Sequence, residues 1–236
     1  MAPSNAVEIA KSAAAKAAVA LVENGMTLGL GTGSTVAFVL DLLGERIRAE
    51  HLTLVGVPTS VRTAERARAL GIRLAELEAG RELDLAIDGA DEIETKTLLL
   101  IKGLGGALLR EKMIATAARR FVVVADESKL VARLGTHAPL PVEVVRFAHP
   151  ATAGRIERLG GRPVLRMTAD AEPYVTDNGN FIYDVHGLGP IANPARLECE
   201  IAAIPGVVES GLFTRFVASA FIGSADGQAR MLHAGA

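Results

Sequence analysis

Short runs of consecutive apolar residues alternate with helical patterns along the first half of this 236-residue chain. Strands that are buried on both faces read as continuous apolar runs, and parallel neighbours are joined by crossovers that are usually helices. The alternation therefore predicts an α/β fold, a Rossmann-like parallel sheet covered by helices on both faces. The predicted strands are residues 26–30, 52–57, 72–75, 85–87 and 121–125; the predicted helices are residues 5–23, a segment with Val36, Val39, Leu43 and Ile47 on one stripe, residues 60–70, and a segment containing Glu111.

The pattern changes after residue 134, and Pro139 and Pro141 mark a boundary. The segments that follow are predicted as a strand at 142–147, a helix at 151–159, a strand at 162–168, a hairpin at 174–185 with a type I′ turn at Asn178-Gly179, a helix at 194–204 and strands at 207–213 and 216–222. Their order is that of a ferredoxin-like α+β unit, although the 174–177 arm leaves one strand too many. We therefore predict an α/β catalytic domain at 1–134, with 214–236 returning to it, and a small α+β domain at 135–213.

Composition excludes several classes of protein. Hydrophobic residues make up 50% of the chain and the formal net charge is −2, so a sizeable core is expected and a strongly basic nucleic-acid surface is not. No apolar run approaches the roughly 18 residues of a membrane-spanning helix, so no membrane partner is expected. Cys199 is the single cysteine, which rules out an internal disulfide and predicts a cytoplasmic protein and a half-buried helix residue.

A glycine-rich loop follows the first predicted strand. Gly31, Thr32, Gly33, Ser34 and Thr35 lead directly into the next helix. A strand, glycine-rich turn and helix direct backbone N–H groups and a helix N-terminus at an anion, and the hydroxyl groups add donors suited to a phosphate. The loop completes neither the Walker nor the dinucleotide pattern, and a plain tight turn is the alternative.

Four charged side chains bracket a second glycine-rich stretch. Asp88 and Asp91 follow one apolar strand, Lys102 follows the next apolar run, and Glu111 lies on a largely apolar helix face after Gly103, Gly105 and Gly106. Such a group can move protons and stabilise an oxyanion without a metal. The alternatives are Ca²⁺ or Mg²⁺ ligation, turn chemistry for the aspartates and a solvated helix glutamate.

A metal site is not expected. Glu92 and Glu94, the nearest further carboxylates, are predicted to be solvated, and the five histidines lack ligand spacing. We therefore predict no metal and no cofactor.

Nine segments of the chain closely resemble type A ribose-5-phosphate isomerases. They are Gly31–Thr35, Asp88–Ile93, Lys102–Lys112, Ala125–Lys129, Leu140–Val144, Leu159–Pro163, Thr176–Asn180, Asp184–Gly187 and Ile204–Phe213. The resemblance implies cofactor-free interconversion of ribose 5-phosphate and ribulose 5-phosphate, with Glu111 as the base and Asp88, Asp91 and Lys102 as further catalytic groups. It also implies a homodimer or a dimer of dimers.

The resemblance further implies a set of substrate-binding residues. They are Thr32, Gly33, Ser34, Thr35, Asp88, Gly89, Ala90, Asp91, Lys102, Gly103, Leu104, Gly105 and Lys129, with Lys11 as a weaker candidate for the phosphate. Leu104 departs from the family, which commonly has glycine there. Two other functions on related folds are a sugar-phosphate sensor, which would need a DNA-binding element, and a coenzyme A transferase, which would not need the Lys102–Glu111 loop.

Overall fold

The structure is a computed structural model, and it describes residues 3–80, 82–215 and 217–234. The helices in this part of the chain are α1 Pro3–Val19, α2 Ser34–Glu50, α3 Val61–Ala69, α4 Leu108–Ala117, α5 His149–Glu157 and α6 Pro194–Ala202. The strands are β1 Thr27–Leu30, β2 Val55–Pro58, β3 Arg73–Leu74, β4 Leu85–Asp88, β5 Glu92–Glu94, β6 Leu100–Ile101, β7 Phe121–Asp126, β8 Leu130–Val131, β9 Leu140–Val144, β10 Arg162–Leu165, β11 Phe181–His186, β12 Val207–Ser210, β13 Leu212–Phe213, β14 Val217–Gly223 and β15 Ala229–Leu232.

A seven-stranded sheet forms the centre of the molecule, in the order β15-β14-β7-β4-β1-β2-β3. All its pairings are parallel except that of β14 with β15. One apolar cluster packs α1 and α2 against one face, and a second packs α4 against the other. The predicted sheet with helices on both faces is confirmed, with one antiparallel strand added at its edge.

A four-stranded antiparallel sheet follows along the chain, in the order β10-β11-β9-β12. With α5 and α6 it has the strand order of the predicted ferredoxin-like unit. Its core joins Val142, Val144 and Ile156 to Ile101 of β6 and Leu212 of β13. The domain limits at 135 and 213 remain a prediction.

The extra arm of that unit is not a strand. Residues 174–177 form only an isolated bridge from Val175 to Phe181. A hydrogen bond from the Gly179 N–H to the Thr176 carbonyl (2.9 Å) closes the turn around Asp177 and Asn178. Of the two central residues of the predicted turn, Asn178 and Gly179, only Gly179 has a positive φ. A type I′ turn needs a positive φ at both positions, so the type I′ prediction is wrong.

Several predicted elements have different limits, among them the first helix and the strand at 207–213. α1 begins at Pro3, so Asn5 and Glu8 lie inside the helix and do not cap it. The predicted strand 207–213 breaks at Gly211, whose N–H donates to the Pro141 carbonyl (2.7 Å), and its two parts join different sheets. Phe216, predicted to open the last strand, lies outside the described residues.

A third sheet, β13-β6-β5-β8, was not predicted. β5 begins with Glu92, which is 0% exposed because its carboxylate accepts hydrogen bonds from the N–H groups of Gly135, His137 and Ala138 (2.5–2.7 Å). The prediction that Glu92 is solvated is therefore wrong, whereas Glu94 is half-buried. Cys199 is exposed on α6 rather than half-buried.

None of the described helices has the length and apolar character needed to cross a membrane.

Candidate active site

The turn after β1 and the end of β4 meet at Asp88. The Asp88 Oδ1 atom accepts hydrogen bonds from the backbone N–H groups of Thr32 (3.0 Å) and Gly89 (2.7 Å). This contact needs a residue without a side chain at position 31, because a Cβ built at Gly31 would overlap the Asp88 carboxylate. Parallel strands that end at the same edge of a sheet thus join the two predicted motifs.

Replacing Gly31 by alanine is expected to lower the free energy of unfolding by about 1–3 kcal/mol, the usual cost of overpacking. The added methyl group cannot fit without moving Asp88 or the loop. Gly154→Ala is the matched control, since a Cβ there meets open space on α5, and it should be neutral or slightly stabilising. Denaturant unfolding of both variants measures the difference; equal stability of Gly31→Ala and wild type would contradict the close packing.

Lys102 lies beside Asp88, although it follows β6 of the third sheet and not a strand of the central sheet. Its Nζ atom donates to the Gly89 carbonyl (2.6 Å) and lies 3.1 Å from the Asp88 Oδ2 atom and 3.5 Å from the Glu111 Oε1 atom. The ammonium group also lies 5.6 Å from the centre of the Phe213 ring. The side chain is 2% exposed, so this cation is held in a largely water-free position.

Glu111 is in the first turn of α4, and its side chain is buried. Its Oε2 atom has no hydrogen-bond partner among the described residues. Burial, and secondarily the Asp88 charge, raise the pKa of Glu111 to about 8, although Lys102 acts in the opposite direction. A carboxyl group with one free oxygen and a pKa near neutrality is suited to accept a proton.

The other two buried groups are perturbed as well. Burial raises the pKa of Asp88, against the opposing effect of Lys102. Burial alone would lower the pKa of Lys102, but the carboxylates of Asp88 and Glu111 raise it above its ordinary value. Lys102 therefore remains a cation between two carboxyl groups that resist ionising together.

Asp91, three residues beyond Asp88, is half-buried. Its Oδ2 atom accepts a hydrogen bond from the Leu104 N–H (2.9 Å), so it holds the glycine-rich loop that follows Lys102. The Leu104 side chain is 45% exposed and lies outside the pocket, so the departure from glycine leaves this backbone contact intact.

The N-terminus of α2 also borders the pocket. Gly33 is its N-cap, with φ 127°, and no side chain caps the first turn. The Lys11 Nζ atom donates to the Ser34 Oγ atom (2.9 Å). Open helix N–H groups beside a lysine form a site for an anion.

A cavity of about 120 Å³ connects these groups. Each residue of its lining is a candidate site residue predicted from the sequence: Lys11, Thr32, Gly33, Ser34, Thr35, Gly89, Ala90, Asp91, Lys102, Gly103, Gly105, Glu111 and Lys129. Asp88 lies directly behind this lining, next to Lys102. A larger groove of about 650 Å³ runs between α3 and α4, but none of its charged side chains is buried, so we place the candidate site in the smaller cavity.

The Thr32 hydroxyl group makes contacts that the sequence analysis did not predict. Its Oγ1 atom lies 2.7 Å from the Thr59 Oγ1 atom, donates to the Ser60 Oγ atom (2.8 Å) and lies 3.2 Å from the Thr63 Oγ1 atom. The Thr63 hydroxyl in turn donates to the Gly31 carbonyl (2.8 Å). These buried hydroxyls support the loop from behind; Thr59 and Ser60 follow β2 and could have been found by the rule that identified the other strand ends.

The described residues contain no group of three His, Cys, Asp or Glu side chains placed to hold a metal ion.

Comparison with known proteins identifies the family. The family model of ribose 5-phosphate isomerase A (phosphoriboisomerase A) matches residues 55–227. The chain is 54% identical to ribose-5-phosphate isomerase A of Synechococcus sp. (strain JA-3-3Ab) over 217 residues, which cover 92% of this chain and 94% of that protein. It is 50% identical to the Thermomicrobium roseum protein of the same name over 220 residues, covering 93% and 92%.

Solved structures agree in fold. The ribose 5-phosphate isomerase A of Methanocaldococcus jannaschii superposes with a TM-score of 0.90 at 44% identity, covering 94% of this chain and 97% of that one. A D-ribose-5-phosphate isomerase in complex with phospho-erythronic acid superposes with a TM-score of 0.92 at 38% identity, covering 96% and 99%. This chain therefore belongs to the ribose 5-phosphate isomerase A family.

Proposed function

We propose that the chain interconverts D-ribose 5-phosphate and D-ribulose 5-phosphate, with Glu111 as the base that moves the proton between C2 and C1. The observation that carries the proposal is the buried group of Asp88, Lys102 and Glu111 beside a small cavity that an open helix N-terminus also lines. The charged group suits a carbonyl that is becoming an enediolate, and the helix N-terminus suits a phosphate.

In the proton transfer Glu111 acts first as a base and then as an acid. Glu111 removes the proton from C2 of the open aldose, the C2–H electrons form the C1–C2 double bond, and the carbonyl oxygen O1 gains negative charge. The Lys102 ammonium stabilises that oxygen. Protonation at C1 by Glu111 and transfer of the O2 proton to O1 then give the neutral ketose. We assign the movement of protons between hydroxyl oxygens, including ring opening, to Asp88 and Asp91.

A ligand of a relative supports this assignment. Phospho-erythronic acid, bound in one of the similar structures, carries a phosphate at one end and a carboxyl group at the other. Its ionised carboxyl group is planar and negatively charged, as an enediolate is. A pocket with one phosphate end and one cationic end fits both molecules.

The pH dependence of kcat/KM is expected to follow the ionisation of Glu111. Only the carboxylate can accept the C2 proton, so kcat/KM should rise with pH up to about 8, the raised pKa of Glu111, and level off above it. Initial rates between pH 5.5 and 9.5 measure the profile, and unchanged circular dichroism controls for unfolding. A profile that is flat through this range would contradict the role of Glu111.

Alanine at both Ser34 and Thr35 is expected to raise KM more than it lowers kcat. The double change removes two hydroxyl donors and the Lys11 contact but leaves the helix N–H groups. Since the phosphate is bound alike in the ground and transition states, the loss falls mainly on binding. Steady-state kinetics measure both constants. An unchanged KM would show that the loop is only a turn and that its hydroxyl groups do not bind the phosphate.

The proposed activity is tested by purified protein in plain buffer. Ribulose 5-phosphate should appear from ribose 5-phosphate with no nucleotide, acyl donor or added metal, and a chelator should not change the rate. The absence of turnover under these conditions would contradict the proposed isomerase activity. If a chelator abolished turnover, the metal-free mechanism would be contradicted but the isomerase activity would not.

We further propose a cytoplasmic homodimer or dimer of dimers, with an α/β catalytic domain and a small α+β domain meeting near residue 135. The single, exposed cysteine fits a reducing compartment. The sugar phosphate is the expected partner, and the net charge of −2 offers no basic surface for nucleic acid. Sedimentation of the purified protein measures the oligomeric state.

A further inference from the structure

Arg166 connects the antiparallel sheet to the loop between Lys102 and Glu111. The residue directly follows β10, and its N–H donates to the Ile182 carbonyl (2.8 Å), which extends the pairing with β11. Its Nη1 atom donates to the carbonyls of Gly103 (2.9 Å) and Leu104 (3.3 Å), 63 and 62 positions away along the chain. One guanidinium group thus binds two successive peptide groups immediately after Lys102.

The guanidinium group is itself fixed in place. Asp184 on β11 accepts from its Nε atom (2.9 Å) and from its Nη2 atom, a two-point contact that sets the plane of the group. The side chains of Arg166 and Asp184 are 13% and 18% exposed. The Arg166 Cζ atom also lies 5.8 Å from the centre of the Tyr174 ring. That ring packs on Gly106 so closely that a Cβ there would overlap it.

Binding these two carbonyls orients two N–H groups. A trans peptide is planar, and its N–H points opposite to its C=O. The N–H groups of Leu104 and Gly105 share peptide planes with the bound carbonyls, so both point away from Arg166. The Leu104 N–H reaches Asp91 Oδ2 (2.9 Å), and Gly105 lines the cavity. The direction of the loop's donors is therefore set from the antiparallel sheet.

We propose that Arg166, held by Asp184, is a positioning residue for the isomerisation: it fixes the glycine-rich loop so that Lys102 and the Gly105 N–H group face the reacting carbonyl. The proposal rests on the proposed function. Arg166 does not line the cavity and is not a catalytic residue. Its loss displaces the loop at the carbonyl end and leaves the phosphate end, Gly31–Thr35, in place.

Arg46 is an arginine with a purely structural role and serves as the matched control for Arg166. Its Nη1 atom donates to the carbonyls of Val19 (3.0 Å) and Val22 (2.9 Å), and its Nε atom donates to Glu50 Oε2 (2.9 Å). The contacts are of the same kind as those of Arg166, one carboxylate and two carbonyls. They join α1 and α2 and do not touch the Lys102–Glu111 loop.

The experiment compares Arg166→Gln, Arg46→Gln and wild type, at a temperature well below their melting. We expect Arg166→Gln to lower kcat by about 10²-fold, as small misplacements of reacting groups do. Its inhibition constant for inorganic phosphate should stay within about threefold of wild type. Arg46→Gln should lower Tm with kcat unchanged. Wild-type kcat in Arg166→Gln, or a phosphate inhibition constant that rises as much as kcat falls, would overturn the proposal.

Two further variants keep the test decisive if Arg166→Gln does not fold. Arg166→Lys retains the charge and one carbonyl contact and should lose less kcat than Arg166→Gln. Asp184→Asn weakens the two-point contact and should lower kcat while leaving phosphate inhibition unchanged; wild-type kcat in both variants would overturn the proposal. Turnover by wild type and Arg46→Gln separates this result from a failure of the proposed function, in which no protein would be active.

Discussion

Glu111→Gln is expected to lower kcat by about 10²–10⁴-fold or more, the range for a lost general base. The amide keeps the size of the side chain but cannot accept a proton from carbon. Substrate binding should survive, because Lys102 and the loop Gly31–Thr35 remain. Steady-state kinetics on the folded variant measure the loss.

Glu143→Gln is the matched control for this change. Glu143 is a glutamate with 0% exposure, and its Oε2 atom, like that of Glu111, has no hydrogen-bond partner among the described residues. It binds Thr176, Asn178 and Asn180 and does not line the cavity. Its amide variant should change stability and not kcat. Near-normal turnover by Glu111→Gln would assign the base to Asp88 or Asp91.

Lys102→Met is expected to lower kcat by about 10²–10³-fold, the cost of removing one oxyanion-stabilising group. The change keeps most of the volume and removes the cation that faces Asp88 and Glu111. The base remains, so slow exchange of the C2 hydrogen should persist when turnover has nearly stopped. Comparison of the exchange rate with kcat measures that difference.

Lys112→Met controls for the loss of a buried lysine. Lys112 also lies over the Phe213 ring, at 5.1 Å, and pairs with Glu198 (2.7 Å) and Glu209 (2.8 Å). Its loss should lower stability, since breaking a buried ion pair leaves charges unpaired. Its kcat, calculated per folded molecule, should stay within about threefold of the wild-type value. Equal kcat losses in the two variants would show that Lys102 acts through packing alone.

The sequence was sufficient to predict that the candidate groups lie together, because they follow local rules. Asp88 ends an apolar strand, and Gly31–Thr35 separate a strand from a helix, so both must lie at the same edge of a parallel sheet. Glu111 and Lys102 flank a glycine-rich loop that limits how far apart they can be. The central sheet and the order of the antiparallel sheet follow from apolar patterns of the same kind.

Contacts between distant residues explain what was not predicted. Glu92 is buried by N–H groups 43 to 46 positions away, which no local pattern reports. β5, β6, β8 and β13 have two or three residues each, too few to show a period of two. The Thr32 hydroxyl was predicted as a phosphate donor, but its contacts with Thr59, Ser60 and Thr63 depend on how β2 lies against β1.

The most direct measurement of the central claim is exchange of the substrate C2 hydrogen with solvent deuterium. Wild-type protein incubated with ribose 5-phosphate in D₂O should place deuterium at C2, because the base that removes the proton can exchange it before returning it. Glu111→Gln should place none above the rate without protein, although it still binds the substrate. Deuterium incorporation by Glu111→Gln at the wild-type rate would show that another group removes the proton.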